Sequence, residues 1–422
     1  MKITKLDVTN LRGFEHASFE LDPSFTLLVG VNGVGKSSVL EALRISLSRV
    51  MPKFTASRAT PLPFTDDDMR VGSTSMTVRA DFLFGDEERN FLMHISREKY
   101  LADPEGSVRH GAFAAPEREE MSQPWPRLVL SQSQPIALYF GIRRSHPTDA
   151  QVRVGQTHGG QAAAYADALS AVRALHLADM ASWILAQEAL AEELPRLRMH
   201  LDALKSAAAQ FLPTCSGLRA ISEDDKPRLL ITKGGTELDV RFLSEGERGM
   251  LALALDLARR LSQANPGLDD PVRDGVAVVL IDELDMHMHP TWQRQIAGLL
   301  TQTFRGCQFV ASSHSPQIIG ETQPGQLILL KQEDGRIVPQ QCGQAYGLDT
   351  NYVLEQIMET PSRPEPVLAA IDAVEQALDE ADLELAREKL ADLRKLQHGD
   401  DPTSVGLEAA INNLEALADE AD

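Results

Sequence analysis

The stretch TLLVGVNGVGKSSVL, residues 26–40, joins an apolar run, a glycine-rich loop and the start of an amphipathic segment. Residues 26–29 are apolar or β-branched, which is typical of a buried strand. Residues 30–37 fit the pattern G-x-x-x-x-G-K-S, in which glycines let the backbone wrap a phosphate chain. Backbone N–H groups at the following helix start then point at the phosphates. The sequence therefore predicts a phosphate-binding loop between a strand and a helix.

Lys36 and Ser37 close this loop with the two side chains that a bound triphosphate requires. We expect Lys36 to reach the β- and γ-phosphates and Ser37 to hold Mg²⁺. A glycine-rich turn could fit the pattern by chance. The apolar run before the loop and the helical spacing after it favour the functional interpretation.

The composition excludes several classes of protein. Hydrophobic residues make up 43% of the 422 residues and charged residues 24%, as is usual for a soluble globular protein. Apolar runs stay well short of the roughly 18 residues that span a membrane, and the N-terminus shows no secretory apolar core. The three cysteines are widely spaced, which argues for reduced thiols and against a structural zinc site. We therefore predict a cytoplasmic protein without a membrane partner.

The net charge of −20 is unevenly distributed. Residues 365–422 contain 16 acidic and 4 basic residues, so this C-terminal segment supplies −12 of the total. A globally acidic protein is a poor non-specific DNA binder, because the phosphate backbone attracts cations. The remaining body is only mildly acidic, which leaves room for a local basic face.

Two carboxylates end a second apolar run. Residues 276–281 read VAVVLI and are followed by Asp282 and Glu283. Packing gives no reason for two acids at the end of a buried strand, since a buried charge must be paired or bound to a metal. We expect Asp282 to hold the Mg²⁺ shell and Glu283 to polarise an attacking water.

Three histidines follow this strand. Residues 308–312 predict a further strand, and His314 comes just after it, in position to hydrogen-bond a γ-phosphate or the attacking water. His287 and His289 lie near three acids and could be mistaken for metal ligands. We favour structural histidines beside a turn for this pair.

The stretch FLSEGER, residues 242–248, precedes an apolar helical segment over residues 250–261. Serine and glycine at a helix start form an end that binds anions. Taken alone, this stretch is equally typical of a simple capped helix.

Elsewhere the pattern predicts a hairpin over 75–83 and 91–98, an irregular excursion over 99–126, and strands over 127–130 and 136–140.

Five of these motifs, taken in order, resemble the ABC-type ATPases of the RecF/SMC branch. The phosphate loop, LSEGER, the strand with Asp-Glu, LDMHMHP at 284–290 and SHSP at 313–316 stand in that family's order, and NLRGF at 10–14 resembles its N-terminal signature. The resemblance covers about residues 1–335. It implies an α/β fold: a P-loop ATPase head with a mixed central sheet and an antiparallel β-subdomain, a short helical insertion and a C-terminal α-helical tail.

The chain then divides into four predicted parts. These are an N-terminal lobe with the Walker A motif (1–160), a helical insertion (161–215), a C-terminal lobe with the remaining motifs (216–340) and an acidic helical tail for partner docking (341–422). Three helices are expected in the tail, over 366–378, 383–396 and 402–417. A small acidic bundle and a docking platform for a partner protein both fit this tail.

The resemblance also implies the roles of individual residues, with ATP and Mg²⁺ as cofactors. The motifs are Walker A at 30–37, the signature at 243–248, Walker B at 278–282, the D-loop at 284–289 and the switch histidine at His314. The implied catalytic residues are Glu283, His314 and Lys36, and the metal-binding residues are Ser37 and Asp282. The implied nucleotide contacts are Asn32, Gly33, Val34, Gly35, Lys36, Ser37, Ser38, Arg12, Ser244, Gly246 and Glu247.

In proteins that this chain resembles, two heads meet head to tail. The residues matching Ser244 and Gly246 of one head cap the γ-phosphate bound by the other, which implies a homodimer or a higher homo-oligomer. Glu245 stands where many relatives have glycine. For the glutamine of the Gln loop, Gln132 and Gln134 are candidates, and surface loop residues are an equal alternative.

The segment YGLDTN at 346–351 and the helical end resemble the Septu and retron-associated ATPases of bacterial antiphage operons. There the ATPase is encoded beside an HNH endonuclease, which it binds and restrains, so the resemblance implies an ATPase that regulates such a partner. DNA or a phage component is a further candidate ligand. The alternative is a RecF-like DNA-repair ATPase acting on DNA ends or gaps. A transporter subunit is disfavoured by the NLRGF opening, and a fused TOPRIM nuclease by the lack of Asp-x-Asp after His314.

Overall fold

The computed structural model divides the chain into two units, Met1–Leu348 and Asp349–Asp422. It describes residues 1–96, 118–121, 125–142, 160–172, 176–223 and 226–421. The first unit contains every described strand, and the second is helical. Among the described helices, none combines the length and the apolar character that crossing a membrane requires.

The strands and helices of the described residues are as follows. The strands are β1 (Lys2–Leu11), β2 (Phe14–Glu20), β3 (Phe25–Val29), β4 (Ser75–Phe84), β5 (Glu87–Ser96), β6 (Arg118–Met121), β7 (Ile136–Phe140), β8 (Cys215–Glu223), β9 (Lys226–Lys233), β10 (Thr236–Asp239), β11 (Ala277–Ile281), β12 (Cys307–Ser312), β13 (Leu327–Glu333) and β14 (Arg336–Gln341). The helices are α1 (Lys36–Val50), α2 (Leu177–Ala191), α3 (Pro195–Phe211), α4 (Glu245–Ala264), α5 (Pro271–Asp274), α6 (Pro290–Thr303), α7 (Pro316–Gly320), α8 (Thr350–Tyr352), α9 (Glu365–Asp379), α10 (Leu383–Gln397) and α11 (Pro402–Ala421).

A six-stranded mixed sheet forms the centre of the first unit, in the order β14-β13-β3-β12-β11-β7. All its neighbouring pairs are parallel except β13 and β14. Every residue of β3, β7, β11 and β12 is buried, as expected of parallel strands covered on both faces. Because β3, β12 and β11 are adjacent and parallel, the loops that follow them leave the sheet at the same edge.

Two antiparallel sheets accompany the central one, in the orders β2-β1-β4-β5-β6 and β10-β9-β8. The hairpin predicted over 75–83 and 91–98 is confirmed as the β4–β5 pair. The mixed central sheet and the antiparallel β-subdomain that the resemblance implied are both present. The predicted helical insertion contains α2 and α3, but residues 161–165 form only a short 3₁₀ turn and residues 166–172 are not helical.

Some sequence predictions were wrong. Residues 127–130 are not a strand, because Leu128 donates its N–H to the Phe54 carbonyl at 2.7 Å and Leu130 is 96% exposed. Within the excursion predicted over 99–126, only 118–121 and 125–126 lie in the described residues, and the first of these is the strand β6. The sequence prediction also missed β8 and β14, where a bulge and a proline weaken the strand pattern.

The second unit has a core of its own. Its long helices α9, α10 and α11 confirm the three predicted in the tail. They bury a shared apolar cluster consisting of Ile371, Val374, Ala377, Ala386, Leu390, Leu393, Leu407 and Ile411. Arg387 pairs with Glu415 and Arg394 pairs with Glu408, so two ion pairs join α10 to α11 on the outside of that cluster.

Candidate nucleotide-binding site

The three central strands bring the predicted motifs to one place. The phosphate loop follows β3, Asp282 and Glu283 follow β11, and His314 follows β12. The Ser37 hydroxyl donates to Asp282 Oδ1 at 3.3 Å, which joins residues 245 positions apart in the chain. The sheet order therefore assembles a single polar site from separate stretches of sequence.

The N-terminal NLRGF segment supports the phosphate loop from outside. Gly35 has φ +101°, a left-handed conformation that favours glycine, and a Cβ there would lie 2.8 Å from the Phe14 ring. Arg12 donates to Asp68 Oδ1 at 2.6 Å and 2.9 Å and to Ser38 Oγ at 3.2 Å. Arg12 thus lies against the first turn of α1. The sequence did not single out Asp68 as its partner.

Lys36 lies within the curve of the loop, and the residue is only 5% exposed. Its ammonium donates to the Gly30 carbonyl at 2.9 Å and to the Val31 carbonyl at 3.2 Å. Burial lowers the pKa of Lys36, while the nearby carboxylates Glu283 and Asp282 act in the opposite direction. The lysine therefore places a cation between the loop carbonyls and the acids that follow β11.

Asp282 is oriented by a serine that the sequence prediction overlooked. The Ser312 hydroxyl donates to Asp282 Oδ1 at 2.6 Å and accepts the backbone N–H of Glu283 at 2.8 Å. Asp282 is only 8% exposed, and both Ser37 and Ser312 hydroxyls point at its carboxylate. Two serines at the end of a buried strand were the available signal, since such hydroxyls need partners.

Glu283 lies in a strained backbone conformation, with φ +51°. For a non-glycine residue this costs about 1–3 kcal/mol, and such conformations cluster at functional sites. Burial raises the pKa of Glu283, and Asp285 and Asp282 add to this, whereas His314 and Lys36 lower it. A carboxylate with a raised pKa is a stronger proton acceptor, which suits a general base.

His314 is fixed by Asp285 as well as by its position after β12. Its backbone N–H donates to Asp285 Oδ1 at 3.2 Å, and the Ser313 hydroxyl donates to the same oxygen at 2.5 Å. His314 Nε2 lies 3.7 Å from Glu283 Oε1. The imidazole and the carboxylate therefore lie side by side, close enough to act on the same bound water.

The signature lies on a different element, at the start of α4. Ser244 is the N-cap of this helix and forms a capping box with Glu247. No hydrogen bond among the described residues joins Ser244 or Gly246 to the phosphate loop. The Glu247 carboxylate accepts hydrogen bonds from Lys233 and Ser244, and its implied nucleotide contact stays a prediction.

The two glutamines proposed for the Gln loop differ in burial. Gln134 is 1% exposed, and its side chain contacts Ala56, Tyr165 and Gln161 as well as two loop carbonyls. The alternative of a surface loop residue is therefore wrong for Gln134, and it stands for Gln132, which is exposed.

The histidines of the D-loop have structural contacts: His289 caps α6, and His287 lies 3.7 Å from Glu245.

Gly246 packs directly on the D-loop, which leads to a first prediction. A Cβ at this position would lie 2.4 Å from the His287 carbonyl oxygen, and a backbone atom cannot move aside alone. We expect Gly246→Ala to lower the free energy of unfolding by about 1–3 kcal/mol. Gly249→Ala on the same helix is the matched control, because nothing lies within 4 Å of its Cβ. Urea denaturation checks this, and equal midpoints for Gly246→Ala and the wild type would contradict it.

Two family models match the first unit. One, described as "AAA ATPase domain", matches residues 1–123, and the other, "AAA domain, putative AbiEii toxin, Type IV TA system", matches residues 164–320. The first unit is thus similar to ATPase domains of the AAA type. The two matched segments include the phosphate loop, the signature, the acid pair and His314.

Similarity to individual proteins is consistent with these family matches. The chain is 37% identical over 164 residues to "Retron Ec83 probable ATPase" of Escherichia coli, covering 39% of this chain and 29% of that protein. It is 28% identical over 182 residues to "Septu protein PtuA" of Bacillus thuringiensis, covering 41% and 46%. The chain thus spans less than half the length of these relatives. The resemblance to retron and Septu ATPases is confirmed.

Among solved structures, the chain is similar to the SMC head domain from Thermotoga maritima. The TM-score is 0.44 and the sequence identity 14%, with 81% of this chain and 99% of that chain covered.

Proposed function

We propose that the chain is an Mg²⁺-dependent ATPase whose heads pair head to tail around ATP. We propose further that this cycle regulates a partner nuclease of the HNH type in antiphage defence. The observation that carries the proposal is the assembly of Lys36, Ser37, Asp282, Glu283 and His314 at one edge of the central sheet. Each of these side chains has a distinct part in binding or hydrolysing a triphosphate.

The Ser37 hydroxyl and the Asp282 carboxylate fit Mg²⁺, because they are adjacent oxygen donors of the kind that this ion prefers. When bound, the ion would neutralise charge on the β- and γ-phosphates. On nucleotide binding, the Lys36 ammonium gives up its hydrogen bonds to the loop carbonyls and forms hydrogen bonds to phosphate oxygens. Glu283 accepts a proton from the attacking water, and His314 donates a hydrogen bond to the γ-phosphate or orients that water.

Pairing of two heads is supported by the position of the signature. Ser244 and Gly246 lie at the start of α4, whose N-terminal N–H groups favour an anion, yet within the described part of the chain neither has a hydrogen bond to the phosphate loop of its own head. A second copy of the chain, arranged head to tail, would bring these groups to the γ-phosphate. ATP would then hold the two heads together, and hydrolysis would release them.

The partner is proposed from the helical unit and from the resemblance. Residues 365–422 carry a net charge of −12, which suits a partner with a basic surface, such as a nucleic-acid enzyme. The retron and Septu relatives support an HNH endonuclease as that partner, with DNA or a phage component as a further ligand. Affinity purification from the native host, with and without Mg-ATP, tests this. Recovery of the chain without any nuclease in both conditions would overturn the regulatory part.

The core of the helical unit gives a second prediction. Leu390 is 3% exposed within the α9–α11 cluster, and Leu390→Ala should destabilise that unit by about 2–5 kcal/mol. We expect the variant to lose its partner while ATP turnover by the head persists. Leu396→Ala is the matched control on the same helix, because Leu396 is 46% exposed. Partner recovery and ATP hydrolysis are measured side by side. Full partner recovery with an unfolded helical unit would exclude this unit as the docking site.

A further inference from the structure

A lysine outside the recognised motifs contacts the signature. Lys233, the last residue of β9, donates from Nζ to Glu247 Oε1 at 2.7 Å. The Glu247 side chain is only 5% exposed, whereas that of Lys233 is 42% exposed. The lysine therefore reaches from the surface to a carboxylate that is almost completely buried at the start of α4.

The other carboxylate oxygen of Glu247 holds Ser244. Glu247 Oε2 accepts the Ser244 hydroxyl at 2.9 Å and the Ser244 backbone N–H at 3.0 Å, and the Glu247 N–H donates to Ser244 Oγ at 3.4 Å. Lys233, Glu247 and Ser244 thus form a continuous chain of polar contacts. Its last member is the hydroxyl that would meet the γ-phosphate bound by a second head.

A Glu247 carboxylate without a neighbouring cation would oppose the approach of that γ-phosphate to the Ser244 hydroxyl. The γ-phosphate is negatively charged, and two like charges separated by one intervening hydroxyl repel each other strongly where water is excluded. An unpaired carboxylate would also be a stronger acceptor for the Ser244 proton, which would then be less available to the phosphate. A cation on the far side of Glu247 weakens both effects, although the Ser244 hydroxyl still donates to Glu247 Oε2 at 2.9 Å in this head.

We propose that Lys233 neutralises Glu247 and thereby weakens its competition with the γ-phosphate of a second head for the Ser244 hydroxyl. In this role Lys233 is a positioning residue of the phosphate-capping site, acting through Glu247 rather than touching the nucleotide. The inference rests on the proposed head-to-tail pairing and adds to it a residue that the motifs do not contain.

The charge states of both groups are consistent with this role. Burial acts to raise the pKa of Glu247, but hydrogen bonds from Lys233 and Ser244 outweigh it and hold that pKa below its usual value. The hydrogen bond to Glu247 raises the pKa of Lys233. The pair therefore stays ionised at neutral pH, and its neutralising effect is present under the conditions of ATP binding.

The position of Lys233 also connects the signature to the helical insertion. Strand β9 pairs with β8 and β10, and it packs against α2 of the insertion. The Lys233–Glu247 hydrogen bond is therefore one contact between this small sheet and the start of α4. A shift of β9 would be transmitted to Ser244 through the Lys233–Glu247 and Glu247–Ser244 hydrogen bonds.

The test uses the full chain carrying Glu283→Gln, so that ATP accumulates without turnover. Pairing is followed by light scattering during titration with Mg-ATP. We expect Lys233→Met to raise the ATP concentration for half-maximal pairing about tenfold, which corresponds to a change in interaction of the size expected for one nearby charge. Lys226→Met, at the exposed start of the same strand, should leave pairing unchanged.

Charge rescue separates neutralisation from a simple structural contact. Adding Glu247→Gln to Lys233→Met removes the unpaired carboxylate and keeps the capping box, since glutamine also serves there. We expect this double substitution to restore pairing to within about threefold of the parent, and Lys233→Arg to keep it. Thermal melting of each variant confirms that it is folded.

The outcomes distinguish the inference from the function on which it rests. Failure of the Glu283→Gln parent to pair with Mg-ATP would overturn the proposed function itself. If the parent pairs and Lys233→Met pairs at the same ATP concentration, the role of Lys233 is excluded. If Lys233→Met is impaired but folded and Glu247→Gln does not rescue it, charge neutralisation is excluded.

Discussion

Glu283→Gln is expected to trap an ATP-bound pair of heads. Glutamine cannot accept the proton of the attacking water, so turnover should fall by about 10²–10⁴-fold. The contacts that bind phosphate are left in place, including those of Lys36 and the adjacent Ser37. Removing one of three neighbouring carboxylates also lessens repulsion of the γ-phosphate. ATP should therefore persist in the site and hold the pair together.

Light scattering with and without Mg-ATP measures this effect. The mass of Glu283→Gln should double on addition of Mg-ATP, while wild type should show the larger species only transiently. A dilution series separates this response from any association that is independent of nucleotide. Glu333→Gln, an exposed acid at the end of β13, is the control and should behave as wild type. An unchanged mass of Glu283→Gln at every dilution would count against the mechanism.

Lys36→Ala is expected to abolish turnover. The ammonium is the cation placed between the loop carbonyls and the acids after β11, and without it the β- and γ-phosphates meet Asp282 and Glu283 with less compensation. Loss of one such transition-state contact costs about 10²–10³-fold, and weaker phosphate binding adds to this. We expect no measurable hydrolysis and no pairing of heads on addition of Mg-ATP.

Phosphate release measures the loss of turnover, and binding of a fluorescent ATP analogue measures the loss of nucleotide affinity. Lys36→Met keeps most of the aliphatic stem and removes only the charge, so it should be as inactive as the alanine variant. Lys53→Ala, an exposed lysine just beyond α1, should keep wild-type turnover. Hydrolysis by Lys36→Ala at the wild-type rate would refute the assignment of the site.

The motifs and their flanks were readable from the sequence because each depends on local spacing. The phosphate loop lies between β3 and α1, the acid pair follows β11, and the tail helices lie where the three-and-four spacing of apolar residues placed them. Strands with weak local patterns were missed, such as β14, which carries Pro339 on a sheet edge. Residues 127–130 were assigned wrongly because their few apolar residues face solvent instead of a sheet partner.

The hydrogen-bond partners of the site residues could not be predicted from local sequence patterns. Ser312 joins Asp282 to the backbone of Glu283, Asp285 fixes His314, and Asp68 holds Arg12. These contacts span 29 to 56 positions of sequence, and nothing in local periodicity indicates them. They depend on the order of strands in the sheet and on the paths of the loops that leave it.

By itself, the sequence determined the stretches from which we predict a triphosphate site, because glycine spacing, Lys36 and the acid pair each have a local chemical reason. Only the tertiary structure decided which of those parts meet. Three adjacent parallel strands bring Ser37, Asp282 and His314 to one edge, whereas no hydrogen bond among the described residues joins Ser244 to the loop. The physical reason is that local patterns specify strands and helices, while the pairing of buried strands specifies which loops become neighbours.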